Sequence, residues 1–181
     1  MADQTDNRVS AQGIAEAASK AGKKGLPPVH LWNPPFCGDL DMQIKADGTW
    51  FYEGTPIGRP AMVRLFSTVL KREGDDYFLV TPVEKVGIQV EDAPFIAVDA
   101  EILPDRITFT TNLGDEVVAD ADNPITIRGD ADEPRPYVHV RRGLEALIDR
   151  KTFYRLAAAA EEAPDGQVGV RSGGQFFRLE R

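Results

Sequence analysis

Apolar and polar residues alternate along most of this chain with the two-residue period of a strand, and only a few stretches change to a helical period. DMQI (Asp41–Ile44) and TWFY (Thr49–Tyr52) are β-prone runs, and Asp47-Gly48 between them supplies the positive φ of a tight turn. The pair predicts a hairpin. Pro60 suits a first helical turn, where its missing N–H costs nothing. Met62, Leu65, Phe66, Val69 and Leu70 follow at helical offsets and predict an amphipathic helix ending near Glu73-Gly74. YFLVTP (Tyr77–Pro82) reads as a buried strand. Val86, Ile88 and Val90 share one face by alternation. FIAVDAEIL, RITFTT, EVVA, ITIR and YVHV continue the pattern, separated by Pro, Asp, Asn or Gly turn chemistry. RRGLEALIDRKTFYRLAAAAEE predicts helix with a break near Asp149. QVGV and QFFRL around RSGG predict a closing hairpin.

These elements place the chain in the α+β class, as two small halves, each a bent, mostly antiparallel sheet with a helix. With Arg59 laid on Arg141, Met62 falls on Leu144, Leu65 on Leu147 and Phe66 on Ile148. That suggests an internal duplication, although core periodicity alone would also produce the apolar matches. The expected organisation is an arm over residues 1–28, an N-terminal half over 29–83 and a C-terminal half over 84–181, with a cleft between the halves. In the arm, Ile14–Ala21 is an Ala-rich helical stretch that GKKGLPP breaks, so the arm is expected to be loosely held.

The formal charge of −8 argues against a nonspecific nucleic-acid coat, which needs excess Lys and Arg. It leaves room for a small phosphorylated ligand held by a local arginine cluster. One cysteine, Cys37, forms no internal disulfide, so a cytoplasmic setting is the simplest expectation. No apolar run approaches the roughly 18 residues of a membrane span, and residues 1–28 lack the apolar core of a secretory signal.

The segment from His30 to Gly54 gathers both tryptophans, the cysteine and two nearby acids. Cys37 as a nucleophile needs a lowered pKa, and its neighbours Phe36, Gly38 and Asp39 supply nothing to lower it. It reads as a small hydrophobe beside a turn. His30, Cys37, Asp39 and Asp41 lack the paired ligand spacing of a zinc site, so no metal is expected. Trp32 before Pro34-Pro35 either plugs a core or presents a ring for stacking, and Trp50 alternates with Phe51 along its strand. Gly58-Arg59-Pro60 and Arg141-Arg142-Gly143 each place arginine where a helix is predicted to begin. Helix N-termini expose unpaired N–H groups and attract anions, and arginine adds bidentate contacts. The competing reading pairs these arginines with surplus acids such as Glu84, Asp92 or those at 130–133. No Walker loop, dinucleotide fingerprint or nucleophile elbow occurs, and no cofactor is expected.

The ordered phrases LWNPPFCGDLDMQIKADGTWFYEGTPIGRPAMVRLFSTVLKRE, YFLVTPVEKVGIQVEDAPF, YVHVRRGLEALIDRKTFYRL and VRSGGQFFRL resemble the bacterial family called domain of unknown function 1285, from about Leu26 to the C-terminus. The resemblance implies a duplicated α+β core, a C-terminal half like pleckstrin-homology folds, and an interdomain cleft with nucleotide-like ligand binding and a signalling role. The family's suspected cleft phrases fall on Trp32, Pro34, Cys37, Gly38, Asp39, Arg59, Glu84, Lys85, Tyr137, Arg141 and Arg142. It has no agreed catalytic set. The resulting expectation is a binding or sensing protein for a nucleotide-like or other anionic ligand. Arg59, Lys85, Arg141 and Arg142 would meet the anion, and Trp32 or Trp50 would stack. One alternative is a hydrolase or transferase with Asp39 or Glu84 as general base. Another is an adaptor that binds a protein partner and no small ligand.

Overall fold

A computed structural model describes residues 10–22 and 25–180. The chain separates into two compact units, residues 1–45 with 49–91 and residues 46–48 with 92–181. Residues 1–9 of the expected arm lie outside the described residues. Its helix is α1 (Ala11–Ala21), with Ile14, Ala15 and Ala18 buried. A short 3₁₀ turn at Val29–Leu31 leads into the first sheet.

That sheet comprises β1 (Phe36–Ile44), β2 (Trp50–Tyr52), β3 (Thr55–Pro56), β4 (Leu70–Glu73), β5 (Asp76–Val80) and β6 (Lys85–Val90), in the order β3-β2-β1-β6-β5-β4. Neighbours are antiparallel except the central pair β1–β6, which runs parallel. The predicted hairpin is β1–β2, with Ile44 opposite Trp50. β6 lies in this first sheet, beside β5, although the expected division put it in the C-terminal half.

Helix α2 (Pro60–Thr68) starts at its proline as expected but stops before the residue predicted to end it. The Ser67 and Thr68 hydroxyls donate to the carbonyls of Arg64 and Leu65, each at 2.6 Å. Val69 then accepts a backbone bond from Val80 at 2.9 Å and Leu70 opens β4. Of the apolar residues read as a last helical turn, Val69 thus caps the helix and Leu70 is strand, because sheet pairing offers their backbone groups partners.

The second unit holds β7 (Phe95–Leu103), β8 (Arg106–Thr111), β9 (Glu116–Val118), β10 (Ile125–Gly129), β11 (Pro134–Arg141) and β12 (Leu144–Ile148). Their order is β10-β11-β12-β7-β8-β9, with β7 and β12 the central parallel pair. Helix α3 (Arg150–Ala158) follows, capped by Asp149, whose carboxylate accepts from the Thr152 N–H at 3.0 Å. A three-stranded sheet of β13 (Glu161–Glu162), β14 (Val168–Ser172) and β15 (Gln175–Arg178) completes the unit.

Both six-stranded sheets follow one plan, third-second-first-sixth-fifth-fourth. This is the arrangement a duplication produces, but its register differs from the one expected. Phe36 opens β1 as Phe95 opens β7, and Lys85 opens β6 as Leu144 opens β12, at the same offset in both cases. The strands repeat and the helices do not: α2 falls between the third and fourth strands, whereas α3 follows the sixth.

The stretch from Arg141 to Ile148 corrects the sequence expectation most sharply. It is the end of one strand, a turn and a second strand, not the first part of a helix. Arg142 and Gly143 have φ of 48° and 79°, two consecutive left-handed residues that reverse a hairpin. Leu144, Ala146 and Ile148 are buried and alternate with Glu145 and Leu147, which a strand satisfies and a helix does not. The apparent helical spacing of Leu144, Leu147 and Ile148 came from counting Leu147, which lies on the half-buried face.

Ser172 ties β14 to the six-stranded sheet beside it. Its buried hydroxyl accepts from the Ile107 N–H at 2.8 Å and donates to the Ala119 carbonyl at 2.7 Å. Ser172→Ala leaves both backbone groups buried without that partner and is expected to lower unfolding free energy by about 1–3 kcal/mol. Urea denaturation of the two proteins checks this, and a change near zero would mean that water replaces the hydroxyl.

Candidate functional site

The strongest site geometry is in the first unit, where the N-terminal ends of two helices meet one hollow. Ser10 caps α1: its hydroxyl accepts from the Gly13 N–H at 3.1 Å, and its carbonyl accepts from Ile14. Arg59 is the residue before α2, extended at φ −105° and ψ 106°, with Pro60 setting the first turn. α1 packs on α2, and Ile14, Ala15 and Ala18 of α1 are buried. Between the two ends lies a cavity of about 420 Å³, walled by Ser10–Gln12, Gly58 and Arg59, with Tyr52, Ile57, Met62 and Phe66 as its apolar side. Arg59 is exposed, and its guanidinium makes no hydrogen bond or ion pair with a described residue. Each helix start brings N–H groups at the positive end of its dipole, and the guanidinium adds a full charge. The hollow can therefore hold an anion against an apolar wall.

Two of the other residues singled out in the first unit, Asp39 and Lys85, meet elsewhere. Phe36, Asp39, Phe78, Lys85 and Gly87 surround a hollow of about 320 Å³ on the first sheet. The β1–β6 ladder slips between Phe36 and Asp39, and Gly38 takes φ 99° at that bulge. The bulge swings the Asp39 carboxylate against Gly87, where any Cβ would collide with Asp39 Oδ1. Lys85 donates to Glu73 Oε2 at 2.7 Å and lies 4.4 Å over the Phe78 ring. Hydrogen bonding to Lys85, reinforced by its charge and that of Lys71, holds the Glu73 carboxyl below its usual range. Lys85 is therefore already paired with an acid of its own sheet.

Lys71 in turn donates to the Trp32 carbonyl at 3.1 Å and to Asn33 Oδ1 at 3.2 Å, so Trp32 serves here as a backbone anchor with its side chain half-buried. Pro34 is half-buried. Cys37 is exposed, with its thiol donating to the Pro35 carbonyl at 3.3 Å. Glu84 belongs to the β5–β6 turn, where its backbone N–H donates to Thr81 Oγ1 at 3.0 Å.

Two expected stacking or binding residues are structural. Trp50 is 1% exposed and stacks on Phe66, with ring centroids 6.3 Å apart, because alternation turns it inward opposite Ile44. Tyr137 is buried in β11, and its hydroxyl donates to Asp92 at 2.6 Å. Arg135 reaches the other oxygen of Asp92 at 2.5 Å. Arg141 and Arg142 do not begin a helix. Arg141 ends β11, paired with Asp115 at 2.9 Å and set 5.1 Å over the Phe95 ring, and Arg142 is the exposed tip of the hairpin. Of the two expected arginine-bearing helix starts, only the one at Arg59 exists. Among the described residues no three of His, Cys, Asp and Glu form a metal-holding group. No described helix is long and apolar enough to cross a membrane.

Sequence reasoning missed Ser10, Gln12 and Tyr52 at the Arg59 hollow. A signal was present: Ser10 stands three residues before Gly13 and four before Ile14, the position of an N-cap ahead of an apolar stripe.

Comparison with known families and structures agrees with the two-unit description. Residues 27–93 match the N-terminal domain of DUF1285, a domain of unknown function, and residues 94–179 match the C-terminal domain of that family. A crystal structure of a DUF1285 family protein from Silicibacter pomeroyi DSS-3 is 59% identical over 93% of this chain and 94% of that one, with a TM-score of 0.85. One from Shewanella baltica OS155 is 32% identical over 64% of this chain and 89% of that one, with a TM-score of 0.52. No curated protein matches.

The Asp92 cluster gives the protein a titration of its own. Burial first, and the hydrogen bond to Asp92 second, push the Tyr137 phenol up from 10.0 to about 12. An acid with a raised folded pKa stabilises the fold below its unfolded value and loses that contribution as pH rises through the folded one. Stability is thus expected to fall between about pH 10 and pH 12, and less steeply in Tyr137→Phe. Urea midpoints of both proteins across that window check this, and identical slopes would contradict it.

Proposed function

The chain belongs to the bacterial DUF1285 family, and from that premise we propose that it is a binding or sensing protein for a small anionic ligand of the nucleotide type. The observation that carries the reading is Arg59, an exposed guanidinium with no partner among the described residues, set between two helix N-termini beside a cavity of about 420 Å³. Phosphate or carboxylate oxygens would take the guanidinium and the free N–H groups of the helix starts. A flat apolar portion would lie against Tyr52, Met62 and Phe66. The proposal needs no site shared between the two units.

Catalysis is not part of this reading. The two carboxylates that a hydrolase or transferase would use, Asp39 and Glu84, do not line the Arg59 hollow. A pleckstrin-homology-like second half and a part in signal transduction belong to the proposal as well. What supports them is the family resemblance, and the strand order carries neither.

Thermal unfolding against nucleoside mono- and diphosphates, inorganic phosphate and citrate tests the reading. A ligand at 100 times its Kd adds about 2.7 kcal/mol and raises the melting temperature visibly. Arg59→Ala is expected to weaken that ligand about tenfold or more, the worth of a charge-assisted hydrogen bond, while leaving the unliganded melting temperature near that of the wild type. Arg141→Ala is expected to do the reverse, lowering the melting temperature through loss of Asp115 and Phe95 while leaving affinity unchanged. No stabilising anion in the panel, or undiminished affinity in Arg59→Ala, would overturn the proposal.

A further inference from the structure

The second unit carries a concave surface that the ligand reading does not use. Phe153 and Ala157 of α3, with Pro134 and Leu179, floor a groove of about 470 Å³. It continues past Pro134 and Phe153 into an adjoining hollow of about 330 Å³, beside which Tyr154 stands 62% exposed. The floor is apolar and the rim is not. Asp130 and Glu180 edge the first hollow, and Asp132 and Glu133 the second.

What sets this rim apart is that its unmatched acids border an apolar groove. Five other acids of the unit are matched: Asp92 with Arg135, Asp99 with Arg155, Asp115 with Arg141, Glu145 with Arg128 and Glu161 with Arg171. Asp130, Asp132, Glu133 and Glu180 form no ion pair or hydrogen bond through their carboxylates with a described residue. The basic groups lining the second hollow are Arg135, already taken by Asp92, and Arg150 at the start of α3. The groove thus combines an apolar floor with an excess of unmatched negative charge.

We propose that this groove docks a partner segment that is apolar on one side and carries Lys or Arg along its edges, a basic amphipathic peptide. Apolar side chains would leave water on the floor formed by Phe153 and Ala157. Long basic side chains would lay their stems on the same surface and carry their charges to the rim. The carboxylates would steer such a segment in and disfavour an acidic one. A second copy of this chain is a poor occupant, since a symmetric contact would set the same acidic rim against itself.

The test uses the full chain and a fluorescein-labelled Leu/Lys amphipathic helical peptide, followed by anisotropy at physiological salt. Saturable binding is expected, with amide shift changes in an NMR titration confined to residues near 130–136, 150–160 and 179–180. Asp130→Asn with Glu180→Gln, and separately Ala157→Trp, are each expected to weaken it tenfold or more. All three positions are exposed, and circular dichroism confirms that the variants are folded. A peptide with Leu replaced by Gln should bind at least tenfold more weakly. No binding by the Leu/Lys peptide would overturn the proposal. So would equal affinity for the Gln peptide, which would mean general attraction to an acidic protein. Shift changes mapping elsewhere, or sedimentation showing the wild type, but not Ala157→Trp, to be a dimer, would do so as well.

Discussion

The parallel pairing of first and last strands is the contact on which each unit depends. Each sheet consists of two three-stranded antiparallel pieces whose neighbours are close in sequence, β1–β3 with β4–β6 and β7–β9 with β10–β12. Only β1–β6 and β7–β12 join the pieces. These central strands carry much of the core, including Met42, Ile44, Val86, Ile88, Phe95, Ala97, Ala146 and Ile148. Losing this pairing would split each sheet into its two antiparallel pieces and uncover those buried residues. The pairing is also the costliest to form, because it closes the longest loop in its unit before any contact repays the lost entropy.

That junction also arranges the chemistry of the first unit. Phe36 lies opposite Lys85 and Asp39 opposite Gly87 only because β1 and β6 are neighbours. The bulge at Gly38 moves Asp39 toward the sheet surface, and Gly87 leaves room for it. In the same unit, α2 connects the third and fourth strands, and its start presents Arg59 beside the capped end of α1. Connecting the two halves of one sheet thus also sets an arginine between two helix dipoles.

Charge is distributed unevenly over a chain of formal charge −8. In the second unit arginines are bound to acids across strands, as in Arg128–Glu145 and Arg141–Asp115, or between helix and strand, as in Arg155–Asp99. Exposed pairs of this kind contribute little stability each. Their larger effect is to leave those arginines poorly suited to meet an anionic ligand. Among the charges left unmatched, Arg59 in one unit and the carboxylates at 130–133 and 180 in the other stand beside cavities with apolar walls.

The sequence by itself determined the strands, because alternation and turn residues are local properties: the Asp47-Gly48 hairpin, β6 through Val86, Ile88 and Val90, and the closing hairpin at RSGG all follow from neighbours a few residues apart. It also determined that Arg59 precedes a helix, since Pro60 suits a first turn and Met62, Leu65 and Phe66 follow at helical spacing. Tertiary structure decided which arginines are available. Asp115 lies far along the chain from Arg141, and no spacing rule announces their contact. It decided that Leu144–Ile148 is a strand, since a short run of Leu, Ala and Ile fits either period until β7 and β11 lie on both sides of it. It decided that Trp50 is core, because alternation tells that Trp50 and Phe51 face opposite ways but not which way is in. Local pattern is set by covalent spacing; burial and charge pairing are set by contacts between residues distant in sequence, which exist only once the sheet has closed.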